Sequence, residues 1–475
     1  MKLIYAKEER IGNPNLFWGR KKELEYLMNW VEEIPKKING PVAILSRSKK
    51  GKTAMVERLY NIVYSKGSHV IPFYYEVREY PYWVIDFAKE FYLSFVQQYL
   101  SFKLRNPEIA RSRFDINLLR ALADENDCDE LVADIYQMEE LFNNTENESE
   151  IVFYALSAPD RVASITGDFV MQIIDEFHLL TSQIYLDKER KVPFEDLISS
   201  YTTLTKSKNA PIIATGSKMG WLKELIHEKL PARFKEINIG NFSLEESMGA
   251  VMNYAKVLGK TVTTEQAFYI SEVAENDPFY IYCIMLSDYE NKKFDTVEDI
   301  YEILEYEYTE GKVHVTWKEY FEKTLEGKHN QELKKLLMLL TDNQGKEYEI
   351  DEIIKETGLD ISEEECRHYL HKLIKGDLIL RGNTKYIYKG IHDDVLTKVL
   401  KFVYDSNFDF EDFRAKDKYN RDKMISNIKK IDIEKQLEFY NDIKDGLNYE
   451  TPSVVGKIFK SIAQMFSGSK ETAKK

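Results

Sequence analysis

Cysteine is scarce in this chain. The 475 residues hold three, Cys128, Cys283 and Cys366, far apart and in no ligand-spaced motif. That pattern argues against a disulfide scaffold and a cysteine-built zinc site, and it fits a reducing compartment. No stretch approaches the length of a membrane span without charges. Residues Met1 to Arg10 lack the apolar run of a secretory signal, so a cytoplasmic location is expected. There is no internal repeat and no long low-complexity tract. Positive charge is also not in excess: 66 Lys and Arg face 80 Asp and Glu, a net charge of −14. A surface this acidic is unsuited to coating nucleic acid or an anionic membrane, so any such contact needs a local basic patch.

What is present is globular. Hydrophobic residues make up 43% and charged residues 31%, enough for real cores, and the length suits about two to four domains. The apolar run Val42-Ala43-Ile44-Leu45 reads as a buried strand, followed by a Lys/Gly turn and a helix from Thr53 to about Tyr64. Further strands are expected at 70–77, 169–174, 211–215 and 236–239. Between the second and third lies a mostly helical stretch, about 83–161, with a polar loop at Phe142–Asn147. Strands separated by helical segments predict an α/β fold with a parallel sheet.

The turn after the first strand reads Ser46-Arg47-Ser48-Lys49-Lys50-Gly51-Lys52-Thr53, then Ala54. It matches G-x-x-x-x-G-K-[ST] except that Ser46 replaces the first glycine. Phosphate oxygens need several backbone N–H groups converging in a tight loop, and Gly51 permits the close approach. Lys52 then supplies a point charge to the β- and γ-phosphates, and the Thr53 hydroxyl ligates Mg²⁺. A solvated basic turn would need no such order of strand, loop and helix. The third strand, Val170-Met171-Gln172-Ile173-Ile174, ends in Asp175-Glu176. In a phosphate-binding sheet Asp175 would hold the Mg²⁺ shell and Glu176 would polarise the attacking water. Thr215-Gly216-Ser217 closes the next strand, and either hydroxyl can touch the γ-phosphate or the lytic water; Ser217 is the favoured one.

Upstream stands Phe17-Trp18-Gly19-Arg20-Lys21-Lys22-Glu23-Leu24. Together these motifs resemble the archaeal-type AAA+ ATPases with a winged helix, close to the STAND signal-transduction ATPases and distantly similar to origin-recognition ATPases. The resemblance spans roughly Asn15 to Leu400. It implies a P-loop core of the ASCE kind, with ATP and Mg²⁺ as ligands and Gly19 and Arg20 in a box near the adenine. It also implies that Arg233, before Phe242-Ser243-Leu244-Glu245-Glu246, is an arginine finger or γ-phosphate sensor; a plain surface arginine is the alternative. The family's Gly-x-Pro motif in the helical lid is represented by Asn276-Asp277-Pro278, which keeps Pro278 and not the glycine. No sensor-2 arginine of the AAA+ kind is evident.

Residues Gln331–Lys389 read as a winged helix: three helices, then Leu378-Ile379-Leu380 and Lys385-Tyr386-Ile387-Tyr388 flanking a Gly382-Asn383 turn. In residues 331–400 Lys and Arg number 11 and Asp and Glu 14, which favours protein docking over DNA. The DNA alternative rests on Arg367, Lys372, Lys375, Arg381 and Lys385. Near the end, Val454, Val455, Ile458, Phe459, Ile462, Met465 and Phe466 recur at helical spacing, suited to packing on the chain itself or to docking on a partner or membrane surface.

The expected organisation is a P-loop core over 1–240 with a helical insertion, a helical lid over 241–325, a winged helix over 326–400 and a charged helical tail over 401–475. The expected function is Mg²⁺-dependent ATP hydrolysis driving a conformational switch or assembly step, with a protein partner or self-assembly. A DNA-associated ATPase and a nucleotide-binding scaffold with little turnover are the alternatives. The intact set Lys52, Thr53, Asp175 and Glu176 argues against the last.

Overall fold

The computed structural model describes residues 2–405 apart from 145, 146, 195 and 385. Its strands are β1 (Val42–Leu45), β2 (Val70–Glu76), β3 (Tyr82–Trp83), β4 (Phe169–Asp175), β5 (Ile184–Tyr185), β6 (Ile212–Thr215), β7 (Lys235–Asn238), β8 (Glu347–Tyr348), β9 (Ile379–Arg381) and β10 (Tyr388–Gly390). The described chain divides into two compact units, one of residues 2–243, 277–279 and 322–392, the other of 244–276, 280–321 and 393–405.

The first unit is organised by a parallel sheet in the order β2-β4-β6-β1-β7. β1 and β6 are buried at every residue, as strands covered on both faces must be. β6 lies between β1 and β4, the extra strand that separates the two phosphate-site motifs. The register decides what meets at the carboxyl edge. Glu76 pairs with Asp175, Ile174 with Ala214, and Ile44 with Thr215. The ends of β2, β4, β6 and β1 therefore reach one level, where an open α/β sheet places its ligands.

β2 is the outer strand, and its exposed polar backbone needs a partner. Helix Val84–Lys103 supplies one. The Gln98 side chain accepts from the Tyr74 N–H and donates to the Tyr74 carbonyl, both at 2.9 Å. The same helix packs Phe91 and Phe95 edge-on against Phe73, with ring centroids 5.2 and 5.4 Å apart. Helices Pro107–Arg111, Ile116–Asp124, Asp129–Asn144 and Glu148–Thr166 complete the insertion before β4. The expected polar loop at 142–147 is corrected at its start: helix Asp129–Asn144 runs through it, because Asn143 and Asn144 sit on an exposed final turn that a helix tolerates.

Residues 322–392, in the same unit, carry helices Asn330–Asp342, Ile350–Thr357 and Glu363–Lys375 and an antiparallel sheet in the order β8-β10-β9. Ser362 and Glu365 form a capping box at the third helix. β8 is an addition to the expected pair of strands. Two residues are too short for a periodic signal.

The second unit is helical, with capping boxes at Thr263/Gln266 and Thr296/Asp299 starting two of its helices. Its core includes Tyr280, Trp317 and Phe321, and the Tyr280 hydroxyl donates to Asp393 at 3.0 Å. Helix Asp394–Tyr404 runs into the start of the expected tail at 401, and the rest of that tail from 406, with its amphipathic stretch at 454–466, lies outside the described residues.

Replacing Gln98 by leucine removes both partners of the Tyr74 backbone at a buried edge. The expected loss is about 2 kcal/mol, the usual penalty for buried polar groups left unpaired, read as a lower Tm on thermal unfolding.

Candidate functional site

The loop between β1 and helix Lys52–Lys66 is built for close approach. Lys49 and Gly51 both adopt left-handed backbone, at φ 67° and 81°. Lys52 opens the helix and is buried. Its ammonium folds back into the loop, donating to the Ser46 carbonyl at 2.8 Å, the Arg47 carbonyl at 2.9 Å and the Ser46 hydroxyl at 3.1 Å. The serine at the loop's first position is thus a ligand of the lysine. Burial pulls the Lys52 pKa down to about 8, against the pull of Glu176, Asp175 and Asp377, which favour the charged form.

Asp175 ends β4, 1% exposed. Four donors converge on it. Thr53 Oγ1 and Tyr74 OH reach Oδ2, each at 2.9 Å. The Thr215 hydroxyl donates to Oδ1, and the Glu176 N–H reaches Oδ1 at 3.0 Å. Helix Lys52–Lys66, β2 and β6 each contribute one donor from outside its own strand. Tyr74 is the member that sequence reading missed; the signal was its place two residues from the end of a strand beside β4. Thr215 was one of two candidates on its strand, and it serves Asp175.

Glu176 leaves the strand in left-handed backbone, φ 56°. Its Oε2 accepts from both the N–H and the hydroxyl of Ser217, at 2.9 and 2.8 Å. Burial raises its pKa above the ordinary carboxylate value, with Asp175 adding to the rise and Ser217 and Lys52 opposing it. His178 Nδ1 stands 3.5 Å from Oε2. Burial lowers that imidazole's pKa to about 3, so it is neutral at physiological pH. Gly216 is explained by this ring: a Cβ there would lie 2.8 Å from His178 Nδ1.

The upstream box braces the loop from outside. Arg20, itself in left-handed backbone, donates through Nη2 to the Lys50 carbonyl at 2.8 Å and the Gly240 carbonyl at 2.7 Å. Its guanidinium stacks over Phe242, 4.8 Å from the ring centroid. Gly19 has φ 76°, and a Cβ on it would come within 2.8 Å of the same ring. Lys50 turns its ammonium to Asn241 Oδ1 at 2.6 Å and to the buried Asp277. Pro278 is the first residue of helix Pro278–Met285, and Asn276 holds the left-handed conformation, φ 57°, that a glycine would otherwise supply.

Arg47, Ser48, Thr53 and Ala54 are partly exposed and Lys49 is exposed. Thr53, Asp175, Glu176 and Ser217 thus lie in one hydrogen-bonded network, and the Lys52 charge interacts with Asp175 and Glu176. Arg233 is half-buried just ahead of the edge strand β7, outside the hydrogen bonds that join this network. Thr53 and Asp175 together present hydroxyl and carboxylate oxygen 2.9 Å apart, the hard donor set that Mg²⁺ takes.

No protein-family model and no curated protein matches this chain. Solved structures do. A Walker-type ATPase of Pyrococcus abyssi is similar over 83% of this chain and 98% of its own, at 14% identity and a TM-score of 0.50. The ORC2 protein of Aeropyrum pernix, solved as ADPNP–ADP complexes, is similar over 84% of this chain and 98% of its own, at 12% identity and a TM-score of 0.45. The first of these likenesses establishes the fold.

A phosphate group brought against Lys52 favours its charged form. With the free pKa near 8, anion binding at pH 8 takes up about half a proton, and less below pH 7 where the lysine is already protonated. Calorimetric titration of ATP in buffers of different ionisation enthalpy measures this uptake. Lys52→Arg, whose side chain stays charged, is expected to show none.

Proposed function

We propose that this chain, which shares its fold with a Walker-type P-loop ATPase, binds ATP on the loop 46–54 and hydrolyses it to ADP and phosphate. The observation that carries the reading is the convergence of Lys52, Thr53, Asp175, Glu176 and Ser217 at the carboxyl edge of β1, β4 and β6. A likeness of fold alone does not require that convergence.

In this reading the amides of the loop and the helix start cradle the phosphates. Lys52 gives up carbonyl partners for phosphate oxygens, so its charge is set on the β- and γ-phosphates. Thr53 and Asp175 would hold Mg²⁺, which supplies charge neutralisation of the phosphates when bound. Glu176 orients a water and accepts its proton as the water oxygen attacks the γ-phosphorus and ADP leaves. Its raised pKa suits a base, and its double hydrogen bond from Ser217 fixes the accepting oxygen. Arg20 and Gly19 buttress the loop, and Lys50 ties it through Asp277 to the segment 277–279. Arg233 is the candidate to reach the γ-phosphate of a neighbouring copy.

The energy released would drive a switch or assembly step, and the segment 322–392 would be a winged helix used for docking. Support comes from its third helix. Lys375 and His371 pair with Glu224 of helix Met219–Lys229 at 3.0 and 3.3 Å, so that face is engaged within the unit. The DNA reading keeps one observation in its favour, a cleft of about 470 Å³ lined by Arg367, His368 and Arg381 with Tyr386 and Tyr388. Salt-dependent duplex binding lost on reversing Arg367 and Arg381 would promote it.

Glu176→Gln keeps the Ser217 contacts and removes the base. Steady-state phosphate release is expected to fall by about 10²- to 10³-fold while ATP binding, read by fluorescent-nucleotide titration, stays near wild type. Unchanged turnover would refute the assignment of Glu176.

A further inference from the structure

Helix Met219–Lys229 begins two residues after Ser217, and its N-cap residue, Lys218, makes no side-chain cap. The first amides of a helix have no partner within it. Here they find one far along the chain. Asp377 accepts from the Met219 N–H at 2.6 Å and from the Gly220 N–H at 2.8 Å. Asp377 is buried and sits in left-handed backbone, φ 51°, just past helix Glu363–Lys375.

The approach is tight enough to dictate a residue. A Cβ on Gly220 would stand 2.5 Å from the Ile374 carbonyl oxygen and 3.2 Å from Asp377 Oδ1. One turn on, Glu224 pairs with His371 and Lys375. Asp377 also interacts electrostatically with Arg47 and Lys52 of the phosphate loop. Burial raises its pKa to about 6, while Arg47 and Lys52 act on its charge in the opposite direction.

A short path of hydrogen bonds and one intervening residue therefore runs from Asp377 to Glu176. Asp377 pins Met219, the peptide Lys218 separates Met219 from Ser217, and Ser217 holds the accepting oxygen of Glu176. We propose that Asp377 is a positioning residue for hydrolysis: it fixes the sensor loop Gly216–Lys218 from the segment 322–392, and so makes that segment part of the ATPase site. The inference rests on Glu176 acting as the base that orients water. Asp377 acts on rate through Ser217, and its negative charge beside Lys52 opposes the phosphates of the nucleotide.

Two variants separate these effects. Asp377→Ala removes cap and charge, whereas Asp377→Asn removes the charge and keeps one of the two oxygens that accept from Met219 and Gly220. With the full chain, Asp377→Ala is expected to lower kcat about tenfold or more at unchanged or lower KM, a loss in the range that misplacement of a catalytic group produces. Asp377→Asn, with one of the two cap bonds kept, is expected to show a kcat between those of the alanine variant and wild type and to bind ATP more tightly, because a negative charge that interacts with Lys52 is gone. Glu224→Ala, which loosens the same contact away from the cap, is expected to leave kcat near wild type. A folded Asp377→Ala protein with wild-type kcat overturns the inference, as does an Asp377→Asn protein as slow as the alanine variant. Should the alanine variant not fold, amide hydrogen exchange in the wild type takes its place. Under the proposal ADP with aluminium fluoride slows exchange at Met219 and Gly220, and unchanged exchange with the analogue bound overturns it. A wild-type protein that releases no phosphate would instead sink the ATPase reading itself, so the two failures are told apart.

Discussion

Everything at the carboxyl edge of the sheet depends on one buried carboxylate. Asp175 is charged chemistry in a place with almost no water, and such a group is tolerated only when its lone pairs are met. Thr53, Tyr74, Thr215 and the Glu176 amide meet them. Because those donors come from a helix and from strands on both sides of β4, satisfying Asp175 also sets the relative height of β2, β4, β6 and the phosphate-loop helix. The register pairs Glu76–Asp175 and Ile44–Thr215 describe the same constraint in backbone terms. An apolar residue at 175 would leave Tyr74 and Thr215 with unmet hydroxyls, so the site and the sheet are one structure.

Lys52 is the complementary element. A buried ammonium held by two carbonyls and a hydroxyl is electrostatically unsatisfied, which its lowered pKa expresses. A polyanion entering the loop relieves that condition. The brace formed by Arg20 on the Lys50 and Gly240 carbonyls, and the Lys50–Asp277 pair, hold the loop's outer side while its inner side exchanges partners. Glu176 and Ser217 add a second, separately held acceptor next to the first, and Asp377, from the segment 322–392, holds the helix start two residues beyond Ser217.

Much of this was legible in the sequence because it is local. The strand 42–45, the loop 46–53 and the Asp175-Glu176 strand end each fit within eight residues, and side-chain type alone carries their chemistry. The places of the core strands along the chain were legible for the same reason. The roles of Tyr74, Asp277 and Asp377 were not. Each comes from a partner about 100 to 230 positions away, Asp175, Lys50 and Met219 respectively. Ser46 looked like a departure from the loop pattern until its carbonyl and hydroxyl were seen to hold Lys52. The helix through Asn144 was hidden by the polar residues of its last turn, and β8 by its length.

On the proposed function, nucleotide replaces the partners now gathered on Lys52 and Thr53. The most direct measurement is a crystal structure of the chain with Mg²⁺ and a non-hydrolysable ATP analogue. The account predicts density for the triphosphate on the loop 46–54, with Lys52 Nζ moved from the Ser46 and Arg47 carbonyls to phosphate oxygens and the Thr53–Asp175 hydrogen bond opened by the metal. An analogue bound elsewhere, or bound at the loop with Lys52 still folded onto those carbonyls, would contradict it.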